Sequence, residues 1–498
     1  MKFRVIAIDV LREHIRSRAV YAHILLAVAV ILVLSIIYLE NLDNCDYPLY
    51  FETRFSQPAH VQLERLQNAD SVAVPLAEAA FPESAPIRHW TRPDRERLVQ
   101  LAVASTTDVW LAEMPDVEIG HIVVASRNGI LTEPPELLGI ASCSLALLNR
   151  NIALDLPQFH HLSAATFTCD NTMMLGKSSF LASNVEAVTR SFVRLLDTPL
   201  PDREGAGRDI FNQCVLTSCQ EVDSIKDRLR RSIFSEIAPY LVTGPVERQR
   251  AAANMNQEAL QAWIDDGFSP GSLIVIVAGP YCADEISGEL TRWLEPLLTR
   301  PPVAPRQHQL VITPRNGQVQ DKTVRHKGVA ASECAMIIPA AGRQLHPRFV
   351  ELANALAAYC NRILRNEGLV YAPTDYLVLE WDGGLLLLSS YETELHHGSR
   401  LLQQTHAWFS QFPDQFRRET IDWALGATRM LARLARSNPQ SASGMILTQL
   451  ISGNQPLAPV DMERYWSACD EQELRRIFET GQPQSYLFQS ALVSRRTM

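Results

Sequence analysis

Gly267-Phe268-Ser269-Pro270-Gly271 has the Gly-x-Ser-x-Gly spacing of a nucleophile elbow. In an elbow a strand delivers the serine, a helix leaves it, and the N–H after the serine helps hold an oxyanion. Here a helical pattern enters and an apolar strand pattern leaves, and Pro270 has no N–H. The segment reads as a turn. Gly176-Lys177-Ser178 resembles the end of a phosphate-binding loop, but Asn171 stands where the first glycine is required. Gly205-Ala206-Gly207 lacks a third glycine and follows no strand pattern. Zinc spacings fail as well: there is no Cys-x-x-Cys, no His-Glu-x-x-His and no His-x-x-Glu-His. The pairs His160-His161 and His396-His397 are adjacent, and adjacent side chains diverge on a strand or a helix. They read as surface or half-buried histidines. Acidic residues are scattered, with no spacing that argues general acid–base work. Of the 9 cysteines only Cys214 and Cys219 lie close, and a bridge there is open. Cys143, Cys169 and Cys360 sit in apolar segments and read as small buried hydrophobes.

The elements that would carry such groups alternate. Strand patterns run over Leu98–Ala104, Ile119–Ala125, Ala164–Cys169 and Ser272–Ala278. Helical patterns run over Glu136–Leu148, Asn184–Leu196, Gln257–Asp266 and Asp284–Leu297. Arg300-Pro-Pro-Val-Ala-Pro-Arg306 then reads as a stiff linker. Beyond it strands are predicted at Gln309–Ile312, Ala335–Ile338, Tyr376–Trp381 and Leu385–Ser389. Helices are predicted at Pro347–Arg365, Glu394–Phe412 and Arg417–Ala435. The expected organisation is a tail at 1–18, an apolar span at 19–39, a spacer at 40–95, and mixed halves at 96–300 and 301–498.

Ala19 to Leu39 is a run whose only clearly polar members are His23 and Ser35. As a helix it would be ~31 Å long, which matches a hydrocarbon core of ~30 Å. Lys2, Arg4, Arg12, Arg16 and Arg18 precede it, and Glu40, Asp43, Asp46 and Glu52 follow. The positive-inside rule puts the tail in the cytoplasm and the rest across the membrane. The run is longer than a signal-peptide core and ends in Ile-Ile-Tyr-Leu-Glu, so an uncleaved anchor is expected. The simplest setting is a bacterial inner membrane with the bulk of the chain periplasmic. The remainder is ordinary globular material, 47% hydrophobic and 20% charged over 498 residues. With a net charge of −9 and only five lysines, no dense basic surface offers itself to nucleic acid.

One family resemblance accounts for the order of these segments. Asp108-Val-Trp-Leu-Ala-Glu-Met-Pro115 is followed by Ile122-Val-Val-Ala-Ser-Arg-Asn-Gly129. Then comes Glu133-Pro-Pro-Glu-Leu-Leu-Gly-Ile-Ala141. This resembles the opening of the insulinase (pitrilysin) family of zinc peptidases, inverzincins that include the mitochondrial processing peptidases. Phe268-Ser-Pro-Gly-Ser-Leu-Ile-Val-Ile-Val-Ala-Gly279 and Leu364-Arg-Asn-Glu-Gly-Leu-Val-Tyr371 resemble two later family segments. The resemblance spans about 95–498 and implies an α/β (α+β) fold of two similar halves closing as a clamshell.

The resemblance also locates a departure. Laying Gly139-Ile140-Ala141 on the family's Gly-Leu-Ala puts Ser142, Leu145 and Ala146 at the His, Glu and His positions. Both histidine ligands and the general base would be gone. The family's third ligand, a glutamate, would fall among Glu204, Asp209, Glu221 and Asp223, and one carboxylate does not hold zinc alone. The resemblance therefore implies a pseudopeptidase with no metal and no cofactor. Two functions follow as expectations. One is a membrane-tethered peptide- or partner-binding subunit, its partner an active peptidase-like chain or an envelope complex, using Arg365 and Tyr371. The other is a scaffold of a secretion, conjugation or polysaccharide complex in the envelope, with no peptide ligand.

Overall fold

The computed structural model describes residues 90–306 except 102–106, 155–164, 171, 199–250 and 252–253. It also describes most of 322–491, where the side chains of the strands are left out. The predicted membrane span, the spacer, Cys214 and Cys219, His160, His161 and His396 lie outside the described residues.

The first sheet has six strands: β1 Arg97–Gln100, β2 Asp108–Glu113, β3 Ile119–Ser126, β4 Thr166–Cys169, β5 Met174–Leu181 and β6 Leu273–Gly279. Their order is β1-β2-β6-β3-β5-β4. Only β2 and β6 run parallel. Between them come helices α1 Ile140–Leu154, α2 Val185–Asp197 and α3 Gln257–Gly267, with α4 Ala283–Leu298 after β6. The second sheet has β7 Lys322–Thr323, β8 Val329–Pro339, β9 Asp375–Trp381, β10 Gly384–Glu394 and β11 Ser485–Ala491, ordered β7-β11-β8-β10-β9. Its helices are α5 Phe349–Asn366, α6 Arg418–Ser437, α7 Pro439–Ile451, α8 Pro459–Ala468 and α9 Glu471–Glu479. The fold is mixed α/β.

Strand β6 explains the first sheet. Leu-Ile-Val-Ile-Val-Ala-Gly is apolar without alternation, and all seven residues are buried. Such a strand belongs where both faces of a sheet are covered. Leu273, Val275 and Val277 point into one core with Val109, Leu111, Ile122 and Val124, beneath α1, α2, α3 and α4. Ile274, Ile276 and Ala278 point into a second core with Trp110 and Val123. That core is closed by Ala442, Ile446, Leu447 and Leu450 of α7, which arrives from far along the chain. Helix α7 covers this face.

Four expectations shift. The helix expected from Glu136 starts at Ile140, because Pro134, Pro135 and the positive φ of Gly139 (91°) exclude α-helix before it. Met174–Leu181 is a strand that its polar Gly-Lys-Ser-Ser stretch concealed. Helix α7 was not expected either. Pro439-Gln-Ser-Ala-Ser-Gly-Met-Ile-Leu-Thr-Gln-Leu-Ile451 has no polar stripe because it is buried on most sides. Asn438 starts it, with its side chain accepting the N–H of Gln440 at 2.9 Å and Pro439 as the first helical residue. Finally, the Pro-rich 300–306 segment is docked. Arg300 pairs with Asp197 and Asp265, the Val303 N–H donates to the Pro270 carbonyl at 2.8 Å, and Arg306 pairs with Asp266 at 2.9 Å over the Trp263 ring. The expected 309–312 strand and most of the 394–412 helix lie outside the described residues.

Candidate functional site

Helix α1 is the element on which the family resemblance places its chemistry. Its start is fixed by Glu133, whose buried carboxylate accepts the N–H of Gly139 at 2.7 Å and of Ala141 at 2.9 Å. A carboxylate at a helix N-terminus satisfies orphan donors and meets the positive end of the helix dipole. Glu133 is thus a structural cap. Glu113 does the same for α4, accepting the Ala283 N–H at 2.6 Å while paired with Arg97.

One turn into α1, Ser142 and Ala146 share a half-buried face at i, i+4 spacing, and Leu145 is buried in the helix-side core. The donor set does not fit zinc. Leucine and alanine offer no lone pair, and a neutral serine hydroxyl is a poor ligand. Glu204, Asp209, Glu221 and Asp223 lie outside the described residues. Among the described residues no three His, Cys, Asp or Glu side chains converge.

Asn149, two turns along the same helix, has a role that its neighbours in the chain do not signal. Its side-chain N–H donates to the Phe167 carbonyl at 2.8 Å, and its carbonyl accepts the Phe167 N–H at 3.0 Å. Both main-chain groups of a strand residue point to the same side. Phe167 lies on β4, the last strand of the sheet, so Asn149 occupies the outward-facing groups that an added strand would need. Hydrogen-bonding capacity of this kind is visible only once helix and strand are adjacent.

Other predicted groups fall elsewhere. Arg365 is exposed in the last turn of α5, and its carbonyl accepts the Gly368 N–H at 3.0 Å across a turn with φ +68° at the glycine. Tyr371 lies outside the described residues. Ser269 is buried, and its hydroxyl donates to the Asp265 carbonyl. It follows α3 and precedes β6, with Gly271 at φ +99°, so the Gly-x-Ser-x-Gly stretch is a helix-to-strand turn. Cys143 and Cys469 are buried and Cys169 and Cys282 half-buried, and none of these four is in a disulfide. Burial holds the Cys169 thiol well above its ordinary pKa, which keeps it protonated and unreactive.

Two polar groupings were not foreseen. His121 is buried beside Ser179, with Nδ1 2.9 Å from the hydroxyl oxygen. Burial first, then the charge of Lys177, depress its pKa to about 4, so the ring is neutral at pH 7. Arg348 is buried where α5, α7 and α8 meet. It donates to Gln449 at 2.9 Å and Glu351 at 3.1 Å, with its guanidinium 5.8 Å from the Tyr465 ring centre. Gln449 also accepts the Leu457 N–H at 2.8 Å, so this cluster fixes the end of α7. Its groups are engaged with one another and make a structural joint.

A scan against protein-family models finds no match, and neither does a search of curated proteins. Solved structures do match. The periplasmic protease PqqL from Escherichia coli superposes with a TM-score of 0.61 at 13% identity, covering 88% of this chain and 51% of that one. A protease from Helicobacter pylori gives 0.61 at 11% identity, covering 80% and 99%. A peptidase M16 inactive domain from Pseudomonas fluorescens gives 0.62 at 12% identity, covering 80% and 99%. The chain spans about half the length of the E. coli protein, whose first half alone is matched over 93% of its length. At these identities the likeness concerns the fold, and the fold is that of the insulinase-like M16 peptidases.

Proposed function

We propose that this chain is a catalytically inactive, peptidase-like subunit, anchored in the bacterial inner membrane by 19–39 and binding a protein partner in the periplasm. The observation that carries the reading is the face of α1. Where the family resemblance puts two histidines and a glutamate, it has Ser142, Leu145 and Ala146. The likeness to an M16 domain described as inactive supports it, as does the likeness to a periplasmic protease. That the chain spans about half of that protease suggests a clamshell completed by a second chain, such as an active peptidase-like protein.

The purified full chain should hold no stoichiometric metal, cleave no peptide, and melt at the same temperature with and without chelator, because no metal–ligand free energy is lost. About one tightly bound metal per chain by elemental analysis would overturn the reading. Arg365 and Tyr371 remain the proposed contacts on the partner. Replacing both with Ala should weaken partner capture from membranes at least tenfold, or about 1.4 kcal/mol, with the melting temperature unchanged. Reporter fusions after residue 60 should be active only if the reporter works outside the cytoplasm.

Asn149 favours a second reading. With the β4 edge occupied at Phe167, an extended peptide cannot pair there unless Asn149 swings away. That suits an envelope scaffold with no peptide ligand. Asn149→Ala would separate the two: peptide binding gained only by the variant favours the scaffold, and equal binding by both favours the subunit.

A further inference from the structure

Helices α2 and α4 pack against each other, and a cavity of about 570 Å³ is lined by both. That volume lies in the ~300–1,000 Å³ range of small-molecule sites. Val193 and Trp293, both buried, supply its apolar floor. Five of the lining residues are charged, and three of these are already paired within the chain. Arg190 holds Glu186 at 2.9 Å, Arg292 holds Glu289, and Asp197 holds Arg300 at 3.2 Å. Arg194 on α2 and Glu295 on α4 are left. Both are exposed, and neither side chain has an ion-pair or hydrogen-bond partner among the described residues. They do not pair with each other, although they line the same cavity. Pro296, also in the lining, has no N–H, so the Arg292 carbonyl one turn earlier lacks its usual helical donor.

We propose that this cavity binds a short peptide with both termini free. The Arg194 guanidinium takes the peptide's carboxylate in a bidentate pair. Glu295, with the Arg292 carbonyl, takes its ammonium group. Val193, Trp293 and Pro296 face its middle. Length follows from helix packing. The axes of packed helices lie ~8–10 Å apart and an extended chain covers about 3.3 Å per residue, so about two or three residues bridge the gap. The two charges of a single amino acid are too close together to do so. An anion alone would suit Arg194 but bring a like charge to Glu295, and a cation alone would do the reverse. None of the lining residues belongs to α1, so the inference does not rest on the function proposed above.

The test titrates the full chain in detergent with trialanine, followed by ligand-observed NMR. Trialanine should bind with a dissociation constant of about 1 mM, a strength within reach of so small a ligand. N-acetyl-trialanine and trialanine amide should each bind at least about fivefold more weakly, because each has lost one charge-assisted contact. Arg194→Gln should make trialanine and its amide bind alike, while the acetylated peptide still binds more weakly than the free one. Glu295→Gln should do the reverse. Both side chains are exposed, so the melting temperatures should match wild type. The capped peptides give their reading on the wild-type chain, with no variant needed.

Absence of saturable trialanine binding up to about 10 mM overturns the proposal, as does equal binding of free and capped peptides. If the acetylated peptide binds as well as the free one and inorganic phosphate displaces it, the cavity is an anion site at Arg194 alone, and the proposal fails. Variants that weaken all three peptides by the same factor also overturn it, because the two charges would then act on the fold and not on the termini.

Discussion

The two faces of the first sheet are built from different distances along the chain. One is packed by α1, α2, α3 and α4, whose residues lie between or just after the strands they cover. The other is packed by α7, about 160 residues beyond β6, fixed by Arg127 to its final turn and by Arg348 to Gln449. The helix side is thick: Trp263, Trp293 and Phe192 are fully buried there. The α7 side is one helix deep and made of smaller residues, Ala442, Ile446, Leu447 and Leu450. The difference teaches that the first sheet is not closed by its own half. Its second face waits for the C-terminal segment, so the halves are coupled through a core and not merely through a linker.

The largest test of this comparison is Trp263→Ala. The ring is buried, sits under Arg306 at 4.8 Å, and donates Nε1–H to Met174 Sδ at 3.2 Å. Truncation should cost about 3–5 kcal/mol, read as a lower denaturant midpoint for the whole 87–498 unit. Loss confined to α3 would mean that the helix side is not one cooperative core.

A smaller loss, about 2–5 kcal/mol and toward the lower end, is expected for Ile446→Ala, because α7 can shift as a unit to close the cavity. Hydrogen exchange should then show α7 amides opening while β2, β3 and β6 keep their protection on the helix side. If both faces lose protection together, the two cores are a single unit and the comparison fails.

The smallest effect is pH dependence from His121, which faces the α7 side of β3 near its margin. Its folded pKa of about 4 lies below the ordinary 6.5. Between these values the unfolded chain binds the proton and the folded chain does not. Stability is therefore full above about pH 6.5 and falls as pH drops toward 4, by at most about 3 kcal/mol at ~1.4 kcal/mol per pH unit. His121→Gln should flatten the stability-versus-pH curve in that window and leave it unchanged above. A variant that keeps the wild-type slope would assign the acid sensitivity to another group whose pKa the fold depresses, such as His346.

Much of the helix side was legible in the sequence. Apolar runs such as 273–279 are continuous because both faces are buried, and amphipathic helices such as Val185–Asp197 announce themselves by period. The Gly-x-Ser-x-Gly stretch could be assigned to a turn because proline removes the N–H the chemistry needs. Ser142, Leu145 and Ala146 are where the family resemblance, with Gly139-Ile140-Ala141 laid on Gly-Leu-Ala, puts the His, Glu and His positions. What these residues lack is a matter of side-chain type, and type is all a sequence states.

Tertiary structure decided the rest, and the reason is that contact partners are set by folding and not by spacing. Helix α7 has no polar stripe, so nothing in 439–451 distinguishes a helix sandwiched on a distant sheet from an apolar loop. Asn149 looks like any helical asparagine until β4 lies beside it and its amide takes both outward groups of Phe167. Glu133 and Glu113 are two acids among 55 until the helix ends they cap are brought to them. The Pro-rich 300–306 stretch has a linker's composition, yet Arg300 and Arg306 find carboxylates on α2 and α3 and make it part of the core's rim. One stripe on α6 is apolar in the sequence as any core stripe is. Only the packed fold, with one face of that helix already buried, leaves Met430, Leu431 and Leu434 on the other exposed.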